Sequence, residues 1–60
     1  MFVELRQKET VFTINVNKIQ VYYPVKDGTR IEMEDGTIID VIETYDAISE
    51  FLRGFSLLLK

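Results

Sequence analysis

The residues with the chemistry to attract attention are carboxylates. Asp-Gly-Thr occurs twice, at residues 27–29 and 35–37, within a stretch that also holds Glu32, Glu34, Asp40 and Glu43. A cluster of this kind can hold a hard cation, or set two carboxyl groups around one substrate. Spacing argues against both. A calcium loop of the EF-hand type needs oxygen ligands at alternate positions and a closing Glu at its twelfth residue. Here Asp27, Glu32, Glu34, Asp35 and Asp40 fall on turns or on the outer side of strands. Asp40 and Glu43 are three residues apart, so on one strand they point to opposite faces. Acid–base work needs carboxylates that converge. The expectation is solvated strand charges, with no metal and no cofactor.

Other chemistry is scarce. The 60-residue chain has no Cys and no His, which removes thiolate ligands, disulfides, and the commonest general base and metal ligand. Ser49 and Ser56 are the serine nucleophile candidates, and no base is placed beside either by the pattern. No catalytic residue is assigned, and the chain is read as a non-enzyme. Lys18, Lys26, Tyr22 and Tyr23 could together stack bases and meet phosphates. Against that, there are ten Asp and Glu to seven Lys and Arg, with eight of the acids in residues 27–60. A nucleic-acid footprint needs a basic stripe. Nucleic acid is therefore not an expected partner.

The two Asp-Gly-Thr stretches read as turns. Thr29–Glu34 and Thr37–Glu43 are rich in β-branched residues and nearly alternate, so they form strands around a turn. A three-residue loop Glu34-Asp35-Gly36, with a left-handed Gly36, sets Ile31 opposite Ile39, Thr29 opposite Val41 and Arg30 opposite Asp40. That register gives one apolar face and a cross-strand ion pair. The same loop at Lys26-Asp27-Gly28 would set Tyr23 opposite Ile31 and Val21 opposite Met33. Gly28 and Gly36 are thus structural residues with positive φ.

Further signals complete the elements. Val3 and Leu5 alternate with charged neighbours; Lys8-Glu9 is a turn; Phe12, Ile14 and Val16 make a second inner row. Asn15, Asn17 and Lys18 mark a break before a third row of Ile19, Val21, Tyr23 and Val25. Thr44 is a helix N-cap, followed by Asp46 in the first turn. Tyr45, Ile48, Phe51, Leu52, Phe55, Leu58 and Leu59 then recur at helical spacing, with Asp46, Ser49, Glu50 and Arg53 outward. The chain is predicted to be one α+β domain over residues 1–60. It consists of an antiparallel meander of four to five strands (about 2–6, 10–16, 19–25, 29–34 and 37–43) and one C-terminal helix (about 45–58) across one face.

This plan leaves apolar residues without a home. Phe2, Val11, Tyr22, Ile38 and Ile42 fall on the outer face, and Leu57 lies opposite the helix stripe. A contiguous exposed apolar patch marks an interface. A core of this size supplies only about 3–5 kcal/mol, and neither metal nor disulfide is on hand to add to it. A homodimer is expected, through the sheet face or the helix end, with Phe2, Val11, Tyr22, Ile38, Ile42, Phe55, Leu57 and Leu58 as interface candidates. No apolar run approaches the length of a membrane span, and MFVELRQKE has charges where a signal peptide needs apolar residues. The chain is expected to be soluble and cytoplasmic, without membrane insertion.

The stretch Phe12-Thr-Ile-Asn-Val-Asn-Lys-Ile19 resembles the F-x-L-N-x-x-x-I of the small flagellar and swarming-motility proteins (FlbD-like). Asp27, the Asp35-Gly36 turn, and Val41-Ile-Glu43-Thr44 with Ile48 continue the likeness over most of the chain. An extra residue near Gly28, Lys8-Glu9 in place of the frequent Asn-Gly, and a longer leucine-rich tail depart from it. The first half of LytTR-type domains looks similar too, although those are longer and basic where they meet DNA. The motility-family resemblance implies a non-catalytic accessory that binds and modulates a larger bacterial protein machine. Small phage proteins that inhibit a host protein, such as a defence-system component, share this size and acidity and imply a different partner. A nucleic-acid-binding regulator is a further alternative. The partner itself is not identified by the sequence.

Overall fold

The structure, a computed structural model, describes residues 1–54. Strands β1 (Phe2–Gln7) and β2 (Thr10–Asn15) form a hairpin in which Gln7 pairs with Thr10 and Phe2 with Asn15. Lys8 takes the left-handed conformation that a two-residue hairpin loop requires, with φ 55°. A single 3-10 turn, Val16–Lys18, follows, and the Asn15 side chain caps it by accepting the Asn17 N–H at 3.0 Å. Strands β3 (Ile19–Val25), β4 (Gly28–Met33) and β5 (Ile38–Val41) come next, then helix α1 (Tyr45–Arg53).

The expected α+β class, with antiparallel strands and one helix, is what the chain forms. The strands make two sheets, β1-β2 and β3-β4-β5, because the turn at Val16–Lys18 breaks the path between β2 and β3. Strand β1 instead comes alongside the end of β5, where the Ile42 N–H donates to the Arg6 carbonyl at 2.8 Å. The first strand thus meets the last, and the hairpin folds over the three-stranded sheet.

The β4–β5 hairpin has the expected register: Thr29 with Val41, Arg30 with Asp40, and Ile31 with Ile39. Its loop spans Glu34 to Gly36, closed by the Met33 N–H on the Thr37 carbonyl (2.8 Å) and the Thr37 N–H on the Asp35 carboxylate (2.9 Å). Gly36 has φ 95°. The β3–β4 hairpin differs from expectation. Val25 pairs with Gly28, so its loop is the two residues Lys26-Asp27. Tyr22 then faces Ile31 and Tyr23 faces Arg30, with a register shift between Ile19 and Val21. The extra residue of that bulge reverses the inside–outside parity of the rest of the strand. Ile19 and Tyr22 pack on the core, whereas Val21, expected inside, is exposed.

Gly28 has φ 151°, for a reason other than a bulged loop. A Cβ at this position would collide with the carbonyl oxygen of Val41. The backbones of β4 and β5 approach so closely there that only glycine fits.

The core comprises Leu5, Ile14, Val16, Ile31, Val41, Ile48 and Leu52. It draws on both sheets and on one stripe of α1, as period-2 and period-3.6 patterning require. Thr44 caps the helix, its hydroxyl accepting the Ala47 N–H at 3.1 Å. Ser49, expected to face outward, is buried against the sheet. The helix is described to Arg53, with Gly54 as its C-cap, and the expected continuation to residue 58 lies outside the described residues.

Candidate interaction surface

The outer face of the three-stranded sheet is built in cross-strand rows. Val21, Glu32 and Ile38 make one row; Tyr23, Arg30 and Asp40 make the next. In the second row Arg30 holds Asp40 through two hydrogen bonds, Nε to Oδ1 at 2.7 Å and Nη2 to Oδ2 at 3.1 Å. The Tyr23 hydroxyl donates to Glu32 Oε2 at 2.8 Å, joining the rows. The guanidinium hydrogen-bonded to Asp40 lowers that carboxyl below its ordinary range. The hydrogen bond to Glu32 raises the Tyr23 phenol. Both directions follow from stabilising one protonation state by a partner within contact.

Of the interface candidates, Phe2 is 63% exposed, Ile38 60%, Val11 58% and Ile42 46%. Tyr22 is not on this face. Its hydroxyl lies 2.9 Å from the Ser49 Oγ, and its ring sits 5.1 Å from that of Tyr45. Val21, 42% exposed, takes the place expected of Tyr22. Period-2 alternation missed it because a bulge leaves no mark in alternation itself. Phe55, Leu57 and Leu58 lie outside the described residues. The remaining apolar residues divide between the two sheets. Val21 and Ile38 flank Glu32 on the three-stranded sheet, whereas Phe2 and Val11 sit on the hairpin, opposite Asn15 and Arg6. Ile42 lies at the seam between them.

That seam is polar. The Arg6 backbone N–H donates to Glu43 Oε1 at 3.0 Å, and its Nε donates to Oε2 at 3.1 Å. Gln7 Nε2 donates to the Asp40 carbonyl at 3.0 Å. The buried Thr29 hydroxyl donates to the Glu43 carbonyl at 2.8 Å. Burial pushes the Glu43 carboxyl up, but the two Arg6 donors outweigh it and hold it below its usual value. Glu43 is thus a sheet-to-sheet clasp, where sequence placed a solvated strand charge.

Other chemistry is dispersed. Asp35 is kept acidic by the Thr37 N–H, a turn role. Among the described residues no three carboxylates gather as a metal site. Ser49 has a phenol beside its hydroxyl, where a nucleophile would need a base. Lys18 and Lys26 lie beyond opposite ends of β3, and Tyr22 and Tyr23 point to opposite faces, so these four form no single patch. A cleft of about 830 Å³ between the hairpin tips is lined by Lys8, Lys26 and Arg30 but also Glu9, Asp27 and Asp40, so neither sign prevails. No helix among the described residues is long and apolar enough to cross a membrane. No family model matches the chain, and neither a curated protein nor a solved structure matches it.

Proposed function

We propose that this chain is a non-catalytic interaction protein, a cytoplasmic homodimer that binds and modulates a larger bacterial protein machine. The observation that carries this reading is the row Val21–Glu32–Ile38 beside the row Tyr23–Arg30–Asp40. Two exposed apolar side chains flank Glu32, which accepts the Tyr23 hydroxyl, beside the ion pair of Arg30 and Asp40. A partner covering this face would meet apolar surface without having to supply a countercharge to Arg30 or Asp40. A phage-encoded inhibitor of a host protein would use the same face, and differs in the partner alone.

The test combines light scattering at micromolar concentration with capture of the partner by wild type and by Ile38→Asp. The reading expects a dimer and a partner that Ile38→Asp, still folded, no longer retains. A folded monomer removes the homodimer, and equal retention by both proteins removes this face as the contact.

A further inference from the structure

Among the described residues, β1 meets the end of β5, and the outer edges that remain, β3 and β2, are unlike each other. Strand β3 is one edge, and it carries two features that discourage pairing: the bulge between Ile19 and Val21, and Pro24, which has no N–H to donate. Strand β2 is the other edge. Its six residues, Thr10-Val-Phe-Thr-Ile-Asn15, include no charge, no proline and no glycine, and their pairing with β1 is regular throughout. Among the described residues, no backbone hydrogen bond beyond the β1 ladder reaches this strand. An edge that is regularly paired, uncharged and rich in β-branched residues is a template for another strand.

We infer that β2 is the homodimer seam, pairing antiparallel with β2 of a second copy to join the two hairpins into one four-stranded sheet. The inference rests on the homodimer reading and gives it a location. Antiparallel partners must share a face, so the twofold axis passes beside a residue rather than between two. An axis at Thr13 sets Thr13 opposite Thr13 of the second copy, Phe12 opposite its Ile14, and Val11 opposite its Asn15. Phe12 and Ile14 lie on the core side of the hairpin, so their pairing extends the apolar layer across the seam. On the outer face, Phe2 pairs with Asn15 and Arg6 with Val11 within each hairpin. The axis therefore puts Phe2 and Asn15 of one copy in a row with Val11 and Arg6 of the other, with Asn15 between the two apolar side chains. An axis at Phe12 would instead bring Glu9 into the ladder, opposite Asn15. Near a twofold axis a residue lies close to its own copy, so an uncharged stretch there is compatible with the seam where a charged one is not. The face bearing Val21 and Ile38 stays open to the larger partner.

Thr13 is exposed in the single chain, so its replacement tests the seam without opening the core. The chain has no cysteine. Thr13→Cys should form a covalent dimer under mild oxidation, while Val21→Cys should not. Thr13→Lys places like charges opposite each other and should weaken the dimer at least tenfold. Mixing Thr13→Lys with Thr13→Glu should restore association. A dimer that neither cross-links through Thr13→Cys nor responds to Thr13→Lys would overturn the β2 seam and leave the homodimer standing. A monomer at every concentration would remove both. Should Thr13→Lys fail to fold by circular dichroism, the cysteine pair decides.

Discussion

Arg6 and Glu43 are 37 positions apart, yet Glu43 accepts both the backbone N–H and the Nε of Arg6, at 3.0 and 3.1 Å. A carboxylate that binds a strand's backbone and its side chain together fixes position as well as charge. With the Ile42 N–H on the Arg6 carbonyl, it closes the two sheets onto one core.

Glu43→Ala should therefore cost about 1–3 kcal/mol, the range for removing a charge-assisted hydrogen-bond partner. Glu43→Gln retains an acceptor for the Arg6 N–H and should cost less. Urea unfolding of the three proteins gives the order, and equal midpoints would show that the clasp contributes nothing.

The same clasp sets a pH dependence. Glu43, Asp40 and Asp35 all have folded-state carboxyls lowered from their ordinary values. A carboxyl depressed on folding stabilises the protein above its unfolded-state value, about 4. That contribution is lost as pH falls through the lower folded value. Melting temperature should fall below about pH 4, and Glu43→Gln should lack part of this fall. An acid profile identical to wild type in Glu43→Gln would exclude Glu43 as a source.

The two hairpin glycines should respond unequally to alanine. At Gly36 a Cβ meets nothing within 4 Å, so the cost is backbone strain alone, about 1–3 kcal/mol. At Gly28 the Cβ collides with the Val41 carbonyl, and β4 and β5 must separate to admit it. Gly28→Ala should be the more damaging, to the point of unfolding. The reverse order in thermal melts would contradict the close approach of the strands.

Tyr22 and Tyr23 should separate cleanly. Tyr22→Phe leaves the buried Ser49 hydroxyl without its partner and should cost about 1–3 kcal/mol. Tyr23→Phe removes a hydrogen bond on the solvent face and should stay within about 0.5 kcal/mol. Equal losses would mean that the bulge in β3 is misplaced.

Chelator should leave the melting temperature unchanged. Four of the carboxylates that cluster in sequence, Asp35, Asp40, Glu43 and Glu32, are spent in the structure on Thr37, Arg30, Arg6 and Tyr23. A drop of several degrees with chelator would show a bound cation that stabilises the fold.

Local chemistry determined much of this molecule. The β4–β5 register was legible because a loop ending in a left-handed glycine and one alternating strand on each side admit a single pairing of Ile31 with Ile39. The break at Asn15–Lys18 and the Thr44 cap were legible because short polar side chains satisfy backbone N–H groups within a few residues. Long-range packing decided the rest. Whether Tyr22 or Tyr23 faces inward depends on one bulged residue in β3, which alternation cannot reveal; once Tyr22 turns inward, it meets Ser49 on the helix. Nothing near Glu43 in the chain announces Arg6. That pairing exists because a hairpin with one apolar face must bury it, and the core between the sheet and the helix is where Leu5 and Ile14 find cover. Docking the hairpin there brings β1 beside β5 and turns a strand-end carboxylate into the clasp between two sheets.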